Sequence, residues 1–519
     1  MQNRTNVFIV CLLLCLPTAI LAQDNWPSHR GPNGNYHLQT ETEYPLKWSV
    51  AADENIRWRK PLPETGHSGI AAWNDRLFLT CFRKLTEADN AKDHKGRLAT
   101  LASETCGHCL SAETGDILWS CDLPGQRPNQ VNGTFTDSTT PTPITDGKHV
   151  WFVNAGGWMA CYTVEGKMVW QRAFDVRTKH SAKLFQPFLH DGKLYYAMMR
   201  DKNDPQRREQ TAKDWDKNSK TGWPWLYVRC FDALTGEPAG VLPDGISCHS
   251  KGSLGIVAGE PVLLYARGGP HFPPEKPFGL AVSKLDNHET VWFKPNGNLE
   301  GTDFVNEKHT FSFTRKAVNL IGLQNGETVK SIPIPKTAKA TLFDQVSGKY
   351  ESSEISTDKW KRLVTHHGNV GVGKFHFFMA DKAGLLGRIN IESGEFHFLQ
   401  VPLQIAFDRD EKKLLWDNFT GGDNTGSGFE IQGDKRRLSH GFGHVTAATP
   451  IVINDRIYIC SMLGTVWVID AKAERFDATA LLAVNDFGLP GQTWTLSPIT
   501  AANGYLYQRT SREIICIGE

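Results

Sequence analysis

Cys230-Phe-Asp-Ala-Leu-Thr-Gly-Glu237 decides the fold. It reads as the apolar end of one strand, a short polar turn with glycine at the position of positive φ, and the start of another strand. The same pattern recurs as Cys109-Leu-Ser-Ala-Glu-Thr-Gly-Asp116, Arg388-Ile-Asn-Ile-Glu-Ser-Gly-Glu395 and Leu320-Ile-Gly-Leu-Gln-Asn-Gly-Glu327. Cys161-Tyr-Thr-Val-Glu-Gly-Lys167 is a shorter copy and Val468-Ile-Asp-Ala-Lys-Ala-Glu-Arg475 a degenerate one. Trp119, Trp170 and Trp292 stand in the outgoing strand, and Trp58 has a similar context.

A second hairpin precedes each copy. Pro143-Ile-Thr-Asp-Gly-Lys-His-Val-Trp-Phe-Val153, Pro187-Phe-Leu-His-Asp-Gly-Lys-Leu-Tyr-Tyr196, Pro450-Ile-Val-Ile-Asn-Asp-Arg-Ile-Tyr-Ile459 and Pro498-Ile-Thr-Ala-Ala-Asn-Gly-Tyr-Leu-Tyr507 show it, as does Gly69 to Leu79. Asp-Gly, Asn-Gly and Asn-Asp between apolar residues are hairpin signals. One repeat is therefore four strands, A to D. D strands are expected near 55–61, 116–122, 167–173, 237–242, 289–294, 327–333, 395–401 and 477–484. The last A-B-C set, Ser497 to Ile517, lacks a D strand, and Asn55 to Pro61 is a D strand without A, B or C. The expectation is an all-β, eight-bladed β-propeller of four-stranded antiparallel blades, closed by the N-terminal strand on the C-terminal blade.

Apolar-Asp-Ala-x-Thr-Gly-x…Trp after Pro-x-apolar-x-Asp/Asn-Gly resembles the quinoprotein-type repeat of pyrroloquinoline-quinone-like propellers. Trp26-Pro-Ser-His-Arg-Gly-Pro-Asn-Gly34, Trp58-Arg-Lys-Pro-Leu-Pro63 and Gly66-His-Ser68 resemble secreted members common in planctomycete-type bacteria. The resemblance spans nearly all of the chain after residue 22. It implies the fold, because the repeat consists of strand and turn residues.

The 519 residues carry 57 Lys and Arg against 56 Asp and Glu, so no basic excess points to nucleic acid. Arg4, the apolar run Val7 to Leu16, and Ile20-Leu21-Ala22 read as a signal peptide over 1–22, which places the mature chain in the periplasm or outside the cell. No later segment is apolar enough to span a membrane. Residues 23–519 then form a single propeller domain with an N-terminal extension over 23–54. Cleavage removes Cys11 and Cys15 and leaves nine cysteines, an odd number.

Strand parity assigns the long loops, about 83–107, 201–225, 267–278, 335–365 and 402–444, to B–C or D–A connections, hence to one face. Long loops gathered on one face of a rigid scaffold mark a binding face. His67, His180, His249, His367 and His444 fall in D–A connections and form the candidate ligand-binding rim. Their spacing includes no HxH or HExxH, and no metal site is expected. Cys106-Gly-His-Cys109 has CxxC spacing and is a candidate disulfide or redox pair. Gly421-Gly-Asp-Asn-Thr-Gly-Ser-Gly428 lacks the Lys and following helix of a phosphate loop and reads as a flexible loop.

Quinone-dependent dehydrogenases of the resembled superfamily cover their cofactor with a disulfide between adjacent cysteines. This chain has no Cys-Cys pair and no stretch matching their calcium-binding and catalytic acidic motif. The leading expectation is a secreted or periplasmic, monomeric, non-catalytic scaffold that needs no cofactor and binds a protein, peptide or glycan on its loop-rich face. The alternatives are a dehydrogenase using pyrroloquinoline quinone with calcium, and a thiol-disulfide oxidoreductase using Cys106 and Cys109.

Overall fold

The computed structural model describes residues 24–519 apart from 94–95, 135, 175, 177–184, 200–225, 248–249, 251, 268–278, 296–307, 315, 359, 361–362, 409–410, 423–424, 434 and 443–447. The signal segment and the loop 201–225 lie outside the described residues, as does nearly all of 267–278. Regular structure among the described residues is strand, with three short 3-10 turns. No helix there is long and apolar enough to cross a membrane.

The strands follow the repeat. Ala71–Trp73, Arg76–Phe82, Thr105–Ser111 and Ile117–Leu123 form one antiparallel sheet in chain order. Ile144–Thr145, His149–Asn154, Trp158–Thr163 and Met168–Ala173 form the next. Two further meanders, Phe188–His190 to Pro238–Ile246 and Ser253–Val257 to Thr290–Pro295, meet at the single pair Ile246 and Arg267. His309–Phe313, Ala317–Gly322 and Thr328–Pro333 make a three-stranded unit. Val364–Val372 to Phe396–Gln400 and Ile451–Ile453 to Leu481–Asp486 are two more meanders. The strand expected at 477–484 starts later, at Leu481, after a 3-10 turn over Ala478–Ala480.

Thr500–Ala502, Tyr505–Arg509 and Glu513–Ile517 have as fourth strand Ile56–Pro61 from the other end of the chain. Trp58 lies opposite Cys516 and Pro61 opposite Glu513. The outer strand also ties this sheet to the first meander. The Trp58 indole lies across Gly115, where a Cβ would come within 2.7 Å of the ring. Gly115 has φ +73°, so both conformation and contact require glycine. Trp58 donates from Nε1 to the Ala112 carbonyl at 3.1 Å. The same latch recurs: Trp119 to Val164 at 2.9 Å, Trp170 to Ala233 at 2.8 Å and Trp292 to Leu323 at 2.6 Å. Each of these indoles covers the glycine of the next turn, at Gly166, Gly236 and Gly326. Lys330 fills the equivalent position in the three-stranded unit and donates to the Ile391 carbonyl at 3.1 Å. The glycine and tryptophan of the repeat are thus the two halves of a joint between neighbouring sheets.

The insertion 335–365 departs from expectation. It forms a hairpin, Thr337–Asp344 with Lys349–Ser356, whose first strand pairs in parallel with the outer strand Phe396–Gln400. An outer strand has an unpaired edge, and a β-rich insertion satisfies it. This loop therefore widens a sheet at its periphery instead of rising over the ends of the first strands.

The N-terminal extension has a role that sequence did not reveal. Asp24 accepts from Asn503 N–H at 3.1 Å, and Trp26 bridges Ala72 through two backbone bonds. Pro27 accepts from Thr145 N–H at 3.0 Å. Arg30 is 1% exposed and donates to the carbonyls of Gln186 (3.0 Å) and Gly252 (3.2 Å). Phe185 and Phe188 flank its guanidinium, each ring centre 5.7 Å away. Tyr36 accepts from Val452 N–H, and His37–Leu38 pairs in parallel with Ile451–Ile453. One short segment thus touches residues in or flanking the first strands of six meanders far apart in sequence.

Candidate functional site

The insertions 83–107 and 402–444 converge with three D–A connections. Leu98–Ala102 pairs with Asn129–Gln130. Thr100 N–H donates to the Gln432 carbonyl at 3.1 Å, and Gln432 N–H to Thr100 Oγ1 at 2.9 Å. Phe82, Leu85, Ala102, Val131 and Ile431 bury together with Phe429 packed against them. Trp494 donates from its indole to the Arg437 carbonyl. These loops form a cap with a small apolar core of its own. The cap covers the entrance to the first strands, while the backbone of Asp24 to Leu38 bonds toward their exits and the Arg30 side chain reaches back to Gln186 and Gly252 at two of the entrances.

Beneath the cap lies a buried polar cluster. Glu64, Asp137, Arg509 and His67 are exposed by 0%, 2%, 1% and 4%. Buried charge is costly unless satisfied, and the two carboxylates are. Glu64 accepts from Thr65 N–H (2.9 Å), Leu85 N–H (3.1 Å) and Ser427 Oγ (3.0 Å). Asp137 accepts from Thr139 N–H (2.9 Å), Thr139 Oγ1 (2.6 Å) and Asn132 N–H (3.2 Å). Arg509 donates to the Thr80 carbonyl (2.8 Å) and Ser68 Oγ (3.2 Å). His67 sits 3.5 Å from Asp137 through Nε2 and 5.0 Å from the Trp494 ring centre. Burial lowers the His67 pKa; Asp137 opposes this and Arg509 adds to it. The imidazole is therefore neutral at pH 7 and packed, so it is not an open rim ligand. His367 is likewise buried, at a register break in Val364–Val372. His180, His249 and His444 lie outside the described residues. Glu64, Asp137, Trp494 and Arg509 were not singled out in the sequence. The Asp137-Ser-Thr139 turn and the serines and threonines around it were the available signal.

The CxxC reading fails on geometry. Cys106 and Cys109 lie on one strand, Thr105–Ser111. Three strand residues span about 10 Å, and a disulfide needs Cα atoms within about 7 Å. Both thiols are free. Burial pushes each up to about 11, so neither is an activated thiolate. The residue opposite Cys106 across the strands is Cys81, which is buried. Cys248 lies outside the described residues.

Among the described residues no three His, Cys, Asp or Glu side chains assemble to hold a metal ion. A planar quinone with a calcium ion needs a slot and several oxygen donors. At Gly66, beside His67, the described residues pack closely: a Cβ there would lie 2.7 Å from Thr139 Oγ1 and 3.2 Å from Arg509 Nη1. The carboxylates there are taken up by the chain's own N–H and O–H groups. These residues do not fit the cofactor.

An open cavity of about 490 Å³ lies at the edge of the cap. Arg59, Pro61, Arg512 and Glu513 form one wall, Gly488, Leu489, Gln492 and Thr493 another, and Thr425, Gly426 and Gly428 the third. Neither His67 nor His367 lines it.

No family model matches the chain, and no curated protein matches it. Solved structures do. Quinohemoprotein alcohol dehydrogenase ADHIIG from Pseudomonas putida HK5 is 9% identical over 95% of this chain and 80% of that one, with a TM-score of 0.48. The quinohemoprotein alcohol dehydrogenase from Comamonas testosteroni gives 10%, 95%, 80% and 0.47. BamB from Moraxella catarrhalis is 12% identical over 92% of this chain and 100% of that one, with a TM-score of 0.34. All are β-propeller proteins, the kind that the repeat resembles.

Proposed function

We propose that this chain is a secreted or periplasmic, quinoprotein-like propeller of eight blades that serves as a non-catalytic binding scaffold. Its ligand, a protein, peptide or glycan, docks on the cap. The observation that carries the reading is the unequal treatment of the two ends. Asp24 to Leu38 touches residues in or flanking the first strands of six meanders, an arrangement that a ring around this segment accounts for, and its backbone bonds to Ala72, Thr145 and Asn503 fall toward the end with the tight turns. Four of the tryptophan latches and the Lys330 bond join sheets consecutive in the ring, including the last to the first. The other end carries long loops with their own core, and loops held on a rigid scaffold can vary without cost to the fold. The cluster at Glu64, His67, Asp137 and Arg509 then fixes the cap to the ring. Its buried, fully bonded carboxylates suit a support better than a reacting centre.

The test is a panel of glycans and peptides screened against the full mature chain and two surface variants. One replaces Leu98 and Phe419 on the cap, exposed by 57% and 41%, with serine. The other replaces Lys167 and Lys193 at the opposite turns with serine. Loss of binding in the first with retention in the second is expected. The reverse pattern would move the site to the other face, and substrate turnover by the purified chain would remove the scaffold reading.

A further inference from the structure

The cavity at the edge of the cap contains a cation that the fold leaves unused. Arg59 and Glu513 form a two-bond fork across it, at 2.9 and 2.7 Å, and cancel each other. Asp486 lies behind the floor, where Ser49 Oγ (2.6 Å), Ala51 N–H (2.9 Å) and Gly488 N–H (3.0 Å) take up its carboxylate. Arg512 remains. Its main chain is structural: the N–H donates to Thr510 Oγ1 and the carbonyl accepts from Leu62 N–H at 2.8 Å. Its guanidinium makes no hydrogen bond or ion pair with a described residue, and Nε is shut off from solvent without a partner. An unpaired buried donor is costly, more so when charged, unless something else accepts from it.

The surroundings hold this group in place. The glycine-rich loop lies directly on the Arg512 turn, since a Cβ at Gly426 would stand 3.0 Å from the Arg512 carbonyl. Next to it, Gly428 faces open space. Leu489, 38% exposed, and Pro61 supply an apolar side. A cavity of about 490 Å³ with one forked donor and an apolar wall has the form of a small-ligand site.

We propose that this cavity binds the oxyanion of a small organic acid, with the Arg512 guanidinium as its two-pronged donor. A planar fork of N–H groups matches carboxylate and phosphate oxygens alike. The inference rests on the cap being the ligand face and names the chemistry it selects: an acidic sugar or a comparably sized acid.

Calorimetry on the full mature chain at low salt, with glucuronate, glucose 1-phosphate and glucose as probes, tests it. At least one acidic probe should bind at least tenfold more tightly than glucose, and the stronger of the two identifies the oxyanion. Arg512→Met should lose at least tenfold in affinity for that probe. Arg512→Lys, which keeps charge without the fork, should fall between. Equal binding of glucose and both acids by the unaltered chain would overturn the proposal, as would no binding of either acid, or unchanged affinity in Arg512→Met. The panel of glycans and peptides is read separately: loss of the acid site with retention of a cap ligand would remove this inference and leave the scaffold standing.

Discussion

Truncating Trp58 to alanine tests whether the ring is closed. Trp58 is half-buried, packs over Gly115 and donates to Ala112 at 3.1 Å. Removing a fully buried tryptophan costs about 3–5 kcal/mol. Half-burial reduces that to about 2, and the lost hydrogen bond adds about 1, giving roughly 2–3 kcal/mol. Trp119 makes the same latch, over Gly166 with Val164 as acceptor, inside a continuous stretch of chain. If the last and first sheets are neighbours in a closed ring, Trp58→Ala and Trp119→Ala should lower the denaturant midpoint by similar amounts, read by tryptophan fluorescence and circular dichroism. A frayed terminal strand would behave otherwise, because surface substitutions usually fall within about 0.5 kcal/mol. A Trp58→Ala midpoint equal to that of the unaltered chain, beside a clear loss in Trp119→Ala, would refute closure through this strand. Gly115→Ala gives an independent reading of the joint. It forces a side chain at φ +73° against the indole and should destabilise by more than about 1 kcal/mol.

Burial, helped by the Arg509 charge, lowers His108 to about 4 from an ordinary value near 6.5. The unfolded chain then binds the extra proton first as pH falls, so stability is complete above about 6.5 and declines between about 6.5 and 4. The decline should reach about 3 kcal/mol, and His108→Asn should flatten the pH dependence of the denaturant midpoint in that window. Arg30→Met strands the carbonyls of Gln186 and Gly252 and should cost about 2–4 kcal/mol. Limited proteolysis should then release the segment before Ile56 faster than in the unaltered chain. Cys106 and Cys109 should stay unlinked under mild oxidation and react slowly with thiol reagents at pH 7; a peptide map showing a Cys106–Cys109 bridge would contradict the strand geometry.

The fold was legible because its signals are local. A hairpin turn needs particular residues at fixed offsets, so Asp-Gly, Asn-Gly, Asn-Asp, Ser-Gly and Thr-Gly mark the units without reference to the rest of the chain. The tryptophans were visible as a pattern, but their purpose was not. Nothing in Trp58 itself names Gly115 as its partner, since the two belong to sheets joined only in three dimensions. The hairpin Thr337–Asp344 with Lys349–Ser356 was misassigned for the same reason. Parity fixes the end at which a loop leaves a sheet; it does not fix where the loop goes, and the unpaired edge of Phe396–Gln400 drew this one outward.

The site was less legible because burial reverses the usual meaning of polar residues in loops. Histidines in D–A connections look like ligands when the loops are imagined in water. Under a cap with its own core at Phe82, Leu85 and Ile431, a loop residue such as His67 lies as deep as a strand residue. Arg512 drew no notice for the converse reason. It stands in a tight turn between the last two strands of the chain, a place where a cation reads as ordinary surface. In the folded chain the glycine-rich loop packs over that turn and the Nε is shut off from solvent, which makes the unused charge conspicuous. The misreading of His67 and the silence on Arg512 share one origin. Sequence periodicity ranks residues by position within a strand, whereas the chemistry here depends on which loops cover one another. The cap, built from segments more than three hundred residues apart, decides that for His67 and Arg512 alike.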